Sequence, residues 1–96
     1  MKITIRGFLT LTKVMGPQFA IDFKRDILTV DDLLHELSDR FGEDFRTMIF
    51  DPETNTLSRH IRILINGRHY SHLPEKLSTR LHEGDEVSLF PPIAGG

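Results

Sequence analysis

Residues 29–42 read TVDDLLHELSDRFG, and their pattern decides the fold class. Apolar residues recur at intervals of three and four, which places them on one stripe of an amphipathic α-helix. The residues of this stripe are Val30, Leu33, Leu34, Leu37 and Phe41. Thr29 is suited to the N-cap, Asp32 would complete a capping box, and Gly42 stands where a helix can end. The pattern predicts one main helix that must bury its stripe against another element.

Short alternating runs flank this helix on both sides. KITIR at 2–6 and QFAIDF at 18–23 alternate apolar and polar side chains, which predicts two half-buried strands in an antiparallel hairpin. After the helix, the run IRILIN ends in the turn Asn66-Gly67, and the run EVSLF follows a turn around Gly84. Between them, EDFRTMIF predicts a second short helix and DPETNTLSR a polar loop.

The order of these elements predicts an α+β domain of the β-grasp type, with a mixed sheet and the main helix packed on one face. The hairpin and the later strands can share one core only if the first and last strands lie side by side in the middle of the sheet. A chain of 96 residues can bury one modest core, so we expect residues 1–96 to form a single domain. Residues 91–96 would extend beyond the sheet as a flexible tail.

The composition excludes several classes of function. Twelve basic and fourteen acidic residues give a net charge of −2 without a cationic run, so we expect no nucleic acid partner. The chain has no cysteine, which excludes internal disulfides, thiolate metal ligands and cysteine nucleophiles. It also lacks a continuous apolar segment of the length that a signal peptide or membrane helix requires. We therefore expect a soluble, cytoplasmic protein with no membrane partner.

The titratable residues form no recognisable catalytic or metal-binding pattern. The five histidines are scattered, and His69 and His72, spaced three apart, have no further ligands at zinc-site spacing. The acidic residues near Asp31 fall on the solvated face of the predicted helix. The sequence contains no phosphate-binding loop, dinucleotide motif or activated nucleophile. We expect no metal site, no cofactor bound by the chain itself and no catalysis by this chain alone.

The final residues, FPPIAGG, carry the unusual chemistry of this chain. Pro91 and Pro92 end a strand and favour an extended backbone, whereas Gly95 and Gly96 lack a Cβ and fit a narrow channel. Six residues after Phe90 span at most about 20 Å. The carboxylate of Gly96 can then reach the active site of another protein. Simple disorder of the tail is the competing interpretation.

The strand alternation also predicts a docking surface at the root of the tail. If Ile63 and Leu89 point into the core, Leu64 and Phe90 point to the other face of the sheet. Phe8 joins them if the first strand continues in register through Gly7. These three residues would form an exposed apolar patch suited to a partner. The patch would be absent if a loop or the 51–60 segment folded over it, or if the register slipped at Gly7.

The run LHEGDEVSLFPPIAGG, with ILINGRHY upstream, resembles the MoaD/ThiS family of ubiquitin-like sulfur carriers. The FPP-x-x-GG ending is most similar to the small subunit of molybdopterin synthase. The resemblance implies that a ubiquitin-activating-type adenylyltransferase (MoeB/ThiF-like) uses ATP and Mg²⁺ to convert Gly96 into an acyl-adenylate. A sulfur donor, a cysteine desulfurase or a rhodanese, then forms a thiocarboxylate. The tail would deliver this sulfur to a pterin precursor in the large subunit of molybdopterin synthase (MoaE-like).

One segment departs from that family pattern. Small subunits of molybdopterin synthase usually carry a segment resembling YFAxxRExxG, whereas GFLTLTKVMG keeps Gly16 and lacks the Arg-Glu pair. Sulfur carriers for thiamin, cysteine, tRNA thiolation or tungsten cofactor synthesis share the diglycine end, as do ubiquitin-like modifiers that form isopeptides. An interaction module with an inert tail is a further alternative.

The predicted site therefore has two parts. Gly96 is the residue that would be activated, and Gly95 precedes it in the narrow end of the tail. Arg68, after the Asn66-Gly67 turn, is a candidate contact for an acidic partner, and an ordinary turn residue is the competing interpretation. The residues expected to contact partners are Phe8, Leu64, Arg68, Phe90, Pro91, Pro92, Ile93 and Ala94.

Overall fold

The structure is a computed structural model that describes residues 1–92. The predicted site residues Ile93, Ala94, Gly95 and Gly96 lie outside the described residues, as does most of the predicted flexible tail. The strands are β1 (Lys2–Gly7), β2 (Gln18–Asp22), β3 (Phe50–Asp51), β4 (Thr56–Leu57), β5 (Arg62–Ile65), β6 (Arg68–His69) and β7 (Glu86–Phe90). The α-helices are α1 (Thr12–Met15), α2 (Val30–Phe41) and α3 (Glu43–Ile49), and short 3₁₀ helices span Leu9–Leu11, Tyr70–His72 and Lys76–Ser78.

Five of these strands form one mixed sheet in the order β2-β1-β7-β5-β6. β1 and β7 are parallel neighbours in the centre, and Ile5 lies opposite Val87. β5 pairs antiparallel with the other edge of β7, where Ile63 lies opposite Leu89. The first and last strands therefore lie side by side, and the predicted β-grasp arrangement is confirmed.

The core lies between this sheet and α2. The helix stripe is confirmed, because Val30, Leu33, Leu34 and Leu37 are completely buried. Complete burial of each leucine contributes about 1.5–3 kcal/mol relative to an exposed side chain. Phe41 is half-buried at the end of the stripe. The buried strand residues on the sheet side of the core are Ile3, Ile5, Ile21, Ile63, Ile65, Val87 and Leu89, and Ile61, directly before β5, is buried with them.

The N-terminus of α2 has the predicted capping box. The Thr29 hydroxyl accepts a hydrogen bond from the Asp32 N–H at 3.1 Å, and the Asp32 carboxylate accepts one from the Thr29 N–H at 3.0 Å. The bond from the Thr29 backbone is the main reason why the pKa of Asp32 lies below its usual 3.8. The helix ends at Gly42, whose φ of +75° is favourable for glycine.

Two segments differ from the sequence-based expectation. The predicted polar loop at 51–59 is wrong in part, because β3 and β4 form a small hairpin in which Phe50 lies opposite Leu57. Half-burial of both side chains stabilises this hairpin around its polar turn. The stretch between β1 and β2, which had no predicted element, forms a 3₁₀ helix and then α1. Leu11 and Met15 from these turns are buried in the core.

The helices of the described chain are short. The longest of them within residues 1–92 is α2, with 12 residues, and none is long and apolar enough to cross a membrane.

Candidate functional site

The root of the tail, residues 90–92, lies at the end of the central strand β7. Gly7 on β1 lies opposite Leu89, and the Phe8 N–H donates a hydrogen bond to the Leu89 carbonyl oxygen at 3.1 Å. On the other side of β7, Phe90 lies opposite Arg62 of β5. The register of β1 therefore continues through Gly7, and the slip that would remove the predicted patch does not occur.

Phe8 and Phe90 form an aromatic stack on the face of the sheet opposite α2. Their ring centroids are 4.2 Å apart, the interplanar angle is 10°, and both residues are half-buried. The Arg6 guanidinium lies over the Phe8 ring, 5.0 Å from its centroid, and Arg6 Nη1 is 3.4 Å from Glu86 Oε1. An aromatic pair contributes about 0.5–1.5 kcal/mol beyond its buried area. The stack thus fixes the position of Phe90, from which the tail continues.

Leu64 completes the apolar part of this face. It lies opposite Ser88 of β7 and lines a shallow groove together with Phe90 and Arg68. The structure therefore places Phe8, Leu64 and Phe90 on one face, as the alternation predicts, and each residue is half-buried. We call these three residues the docking patch.

The two prolines of the tail root occupy different environments. Pro91 is buried, whereas Pro92 is exposed. Pro91 lines one groove together with Leu9 and Phe90 and a second groove together with Thr10. Its ring therefore supports the tail from within the domain, and Pro92 is the first tail residue available to a partner.

Cationic side chains surround the docking patch. Arg59 and Arg62 line the groove that contains Leu9 and Pro91, and Arg62 and Arg68 line the groove that contains Leu64. Neither groove has an aspartate or glutamate in its lining. Within residues 1–92, no carboxylate lies within 4.0 Å of a side-chain nitrogen of these arginines. The patch is therefore an apolar surface with a cationic border.

Among these cations, only Arg68 is predicted from the sequence as a contact residue. The same alternation that places Leu64 on the outer face also places Arg62 there, so a signal for Arg62 was present in β5. Arg59 carried no such signal, because it precedes the strand in a segment that was predicted to be a loop.

Histidines also border these grooves. The rings of His69 and His72 are 5.9 Å apart, and His69 Nδ1 lies 2.8 Å from the Ser71 hydroxyl oxygen. Among the residues that the structure describes, no group of three or more histidines and carboxylates is arranged for a metal ion. The lowered pKa values belong to Asp22 and Asp32, and neither residue lines the grooves at the tail root.

One known family matches most of the chain. The ThiS family model matches residues 13–96. The chain belongs to the ThiS family. Its similarity to curated ThiS-like relatives covers most of the sequence. It is 35% identical over 96 residues to small archaeal modifier protein 3 of Haloferax volcanii, covering 100% of both chains. It is also 36% identical over 76 residues to a putative sulfur carrier protein of Archaeoglobus fulgidus, covering 79% of this chain and 83% of the relative.

Solved structures show the same ubiquitin-like fold for this ThiS-family chain. The crystal structure of SAMP1 from Haloferax volcanii has a TM-score of 0.81 at 28% identity, covering 100% of both chains. The putative molybdopterin converting factor, subunit 1, of Pyrococcus furiosus has a TM-score of 0.73 at 25% identity, covering 97% of this chain and 99% of that one. CysO of Amycolatopsis orientalis, solved in complex with BexX, shares the fold at 19% identity and a TM-score of 0.70, covering 98% and 99% of the two chains. The fold and family are those of small ubiquitin-like modifiers and sulfur carriers.

Proposed function

We propose that this chain is a ubiquitin-like protein modifier whose Gly96 is joined through an isopeptide bond to a lysine of a target protein. The observation that carries the proposal is the full-length similarity to small archaeal modifier protein 3, at 35% identity. Because the alignment covers 100% of both chains, it spans the positions of the tail as well as those of the domain. The similarity therefore favours the modifier interpretation over the narrower one as a molybdopterin synthase subunit.

The chemistry requires a partner enzyme. An ionised carboxylate is a poor electrophile, so the Gly96 carboxylate must first be activated. In our proposal a ubiquitin-activating-type adenylyltransferase binds ATP and Mg²⁺, the carboxylate attacks the α-phosphorus, and pyrophosphate leaves. The amine of a target lysine then attacks the acyl carbon, loses a proton and displaces AMP. The chain itself supplies the reactive carboxylate and the surface that the enzyme recognises.

The geometry of the tail root suits this role. The Phe8–Phe90 stack and the buried Pro91 fix the point at which the chain leaves the domain. From Pro92 to Gly96, five residues reach at most about 17 Å. We propose that Pro92, Ile93 and Ala94 contact the enzyme channel, and that Gly95 and Gly96 pass its narrowest part. The docking patch and Arg68 would contact the enzyme surface beside the channel entrance.

A sulfur carrier is the second candidate, because the Archaeoglobus fulgidus relative is named as a putative sulfur carrier protein. The terminal sulfur of a persulfide on a cysteine desulfurase or a rhodanese would attack the acyl carbon of the same acyl-adenylate and displace AMP. A thiol would then reduce the resulting acyl disulfide, leaving a thiocarboxylate on Gly96 and a disulfide on the thiol side. Molybdopterin synthase, through its large subunit, is one possible acceptor, along with the thiamin, cysteine, tRNA and tungsten cofactor pathways. The name of the Pyrococcus furiosus neighbour supports molybdopterin synthase among these acceptors.

One mass spectrometry experiment distinguishes the two candidates. The chain and a variant lacking Gly96 are incubated with the adenylyltransferase of the same genome, Mg·ATP, and either host proteins or a sulfur donor. Trypsin cleaves after Arg80, so a modified lysine would carry the remnant LHEGDEVSLFPPIAGG, residues 81–96. Such remnants, absent from the truncated variant, would support the modifier. A mass gain equal to the exchange of one oxygen for one sulfur, without remnants, would support the carrier. If neither product formed, both candidate functions would be contradicted.

A further inference from the structure

Leu9 has an unusual backbone conformation at the tail root. Its φ is +54°, in the left-handed region, and 56% of its surface is exposed. The Thr12 hydroxyl donates a hydrogen bond to the Leu9 carbonyl oxygen at 2.7 Å, and the Leu11 N–H donates one to the Phe8 carbonyl oxygen at 3.0 Å. These two bonds on either side hold the turn in place.

This conformation is unfavourable for leucine. The left-handed region brings Cβ close to the backbone, and glycine, asparagine and aspartate occupy it more readily. Asparagines do occupy it at Asn55 and Asn66. A leucine has no polar group to stabilise the turn, and its exposed side chain gains little from burial. The stability of the isolated chain therefore does not account for a leucine at this position, and residues in such conformations cluster at functional sites.

Leu9 lies in the cationic part of the tail root. It lines one groove together with Phe90, Pro91 and Tyr70, and Arg59 and Arg62 lie in the same lining. We call this the Leu9 groove. An exposed leucine that shares a groove with arginines without carboxylate partners is complementary to an acidic segment that carries an apolar side chain.

We propose that Leu9 is a recognition residue, and that the Leu9 groove binds an acidic, apolar-anchored segment of the enzyme that activates Gly96. The inference rests on the proposed function, because an enzyme that holds the tail must contact the surface beside its root. Protein is favoured over RNA for two reasons. The net charge of the chain is −2, and the Phe8 and Phe90 rings each have one face covered by the other ring, which leaves less aromatic surface for stacking with bases.

The test compares Leu9→Asn with matched controls on the full chain. Asparagine accepts the left-handed conformation, so the Tm should equal or exceed that of the wild type. The adenylyltransferase of the same genome should show a KM for the Leu9→Asn chain that is about tenfold above its KM for the wild-type chain, as expected for loss of an interface anchor. Its kcat should stay within about twofold of the wild-type value. Ile27→Ala is the control, because Ile27 is 51% exposed and follows β2 near the opposite end of the sheet. Its KM should stay unchanged.

The contribution of charge is tested with the double variant Arg59→Gln/Arg62→Gln. The control is Arg40→Gln, because Arg40 is an exposed arginine at the end of α2. The double variant should raise the KM about three- to tenfold at low salt, and the difference should shrink at high salt because screening weakens charge pairs. Arg40→Gln should leave the KM unchanged. An unchanged KM for Leu9→Asn, or a fall in Tm of more than about 5 °C, would show that Leu9 is a structural residue and overturn the inference.

A second measurement does not depend on activation of Gly96. Backbone amide NMR spectra of the chain are recorded during titration with the peptide EELEDLEE and, separately, with bulk tRNA. Peptide-induced shifts at Leu9, Arg62 and Phe90 that are lost in Leu9→Asn would support the acidic-segment inference even if adenylation fails. Shifts at these amides with tRNA alone, or with neither probe, would overturn it.

Discussion

A single methyl group at Gly7 should measurably destabilise the fold beneath the tail root. Gly7 is buried in β1, and its N–H donates a hydrogen bond to the Pro17 carbonyl oxygen at 3.1 Å. A Cβ added there would lie 2.9 Å from both Cγ and Sδ of Met15 and 3.1 Å from the Gly16 carbonyl oxygen. Met15 is itself buried, so its side chain has little room to move away. We therefore expect Gly7→Ala to force a local rearrangement.

The magnitude follows from two opposing contributions. Overpacking a buried site costs about 1–3 kcal/mol. Replacing glycine by alanine restricts the unfolded chain and returns about 0.4–1 kcal/mol where the backbone suits alanine. The net loss in the free energy of unfolding should lie between about 0 and 2.6 kcal/mol, centred near about 1.3 kcal/mol. For a chain of this size, a loss of about 1.3 kcal/mol lowers the Tm by about 5–10 °C.

The assay is a double-mutant cycle by urea denaturation. Met15→Ala alone should cost about 2–5 kcal/mol, because it leaves a cavity in the core. Combined with Gly7→Ala, it vacates the space that the new methyl group needs, so the double variant should be more stable than the sum of the single effects by about 1–2 kcal/mol. If the effects of the two single substitutions on the free energy of unfolding add to within about 0.5 kcal/mol, the new methyl group does not contact Met15. Wild-type stability of Gly7→Ala together with additivity in the cycle would refute the close approach altogether.

Three further predictions concern the tail root and the main helix. Phe90→Asp should remain folded and raise the KM for adenylation, because it removes the Phe8 stack from a half-buried surface; unfolding of this variant would assign Phe90 to the core. Thr29→Ala should lower the free energy of unfolding by about 0.5–2 kcal/mol through loss of the N-cap, measured by urea denaturation, whereas an effect near zero would mean that the capping box contributes nothing. The pKa of Asp32 is lower in the folded chain than its usual 3.8, so its ionised form stabilises the fold at neutral pH, and that stabilisation disappears as the pH falls through the folded pKa. Asp32→Asn should accordingly be less stable than wild type at pH 7, and the gap should close below about pH 4; a gap that widens in acid would contradict the assigned direction of the shift.

The sequence predicts those elements in which apolar side chains recur with the period of a strand or a helix and so form one buried face. The alternation of Ile61, Ile63 and Ile65 predicts the inward face of β5 and, with it, the outward position of Leu64. The α2 stripe and the Thr29 cap both predict a helix that begins at Val30, and α2 does begin there. Agreement between local signals of this kind makes an element predictable.

The missed elements lack such a period. β3 and β4 contain two residues each, which is too short for an alternation to be visible. The turn at Leu9 was missed for a different reason, because leucine is not a residue that favours a positive φ. The buried position of Pro91 depends on the grooves on its two sides, which come from segments distant in sequence. Local reasoning could not detect contacts of that kind.

The β-grasp sheet separates the buried core from the candidate docking surface in this chain. Nearly all of the fully buried apolar side chains lie between the sheet and its helices, whereas Phe8, Leu64 and Arg62 lie on the opposite face. Because β7 is held between β1 and β5, the point from which the tail leaves is fixed by hydrogen bonds on both sides. If the chain acts as we propose, substitutions on the outer face change which partner binds the tail root while the core keeps its packing. In that proposal, one tail chemistry is combined with different partners.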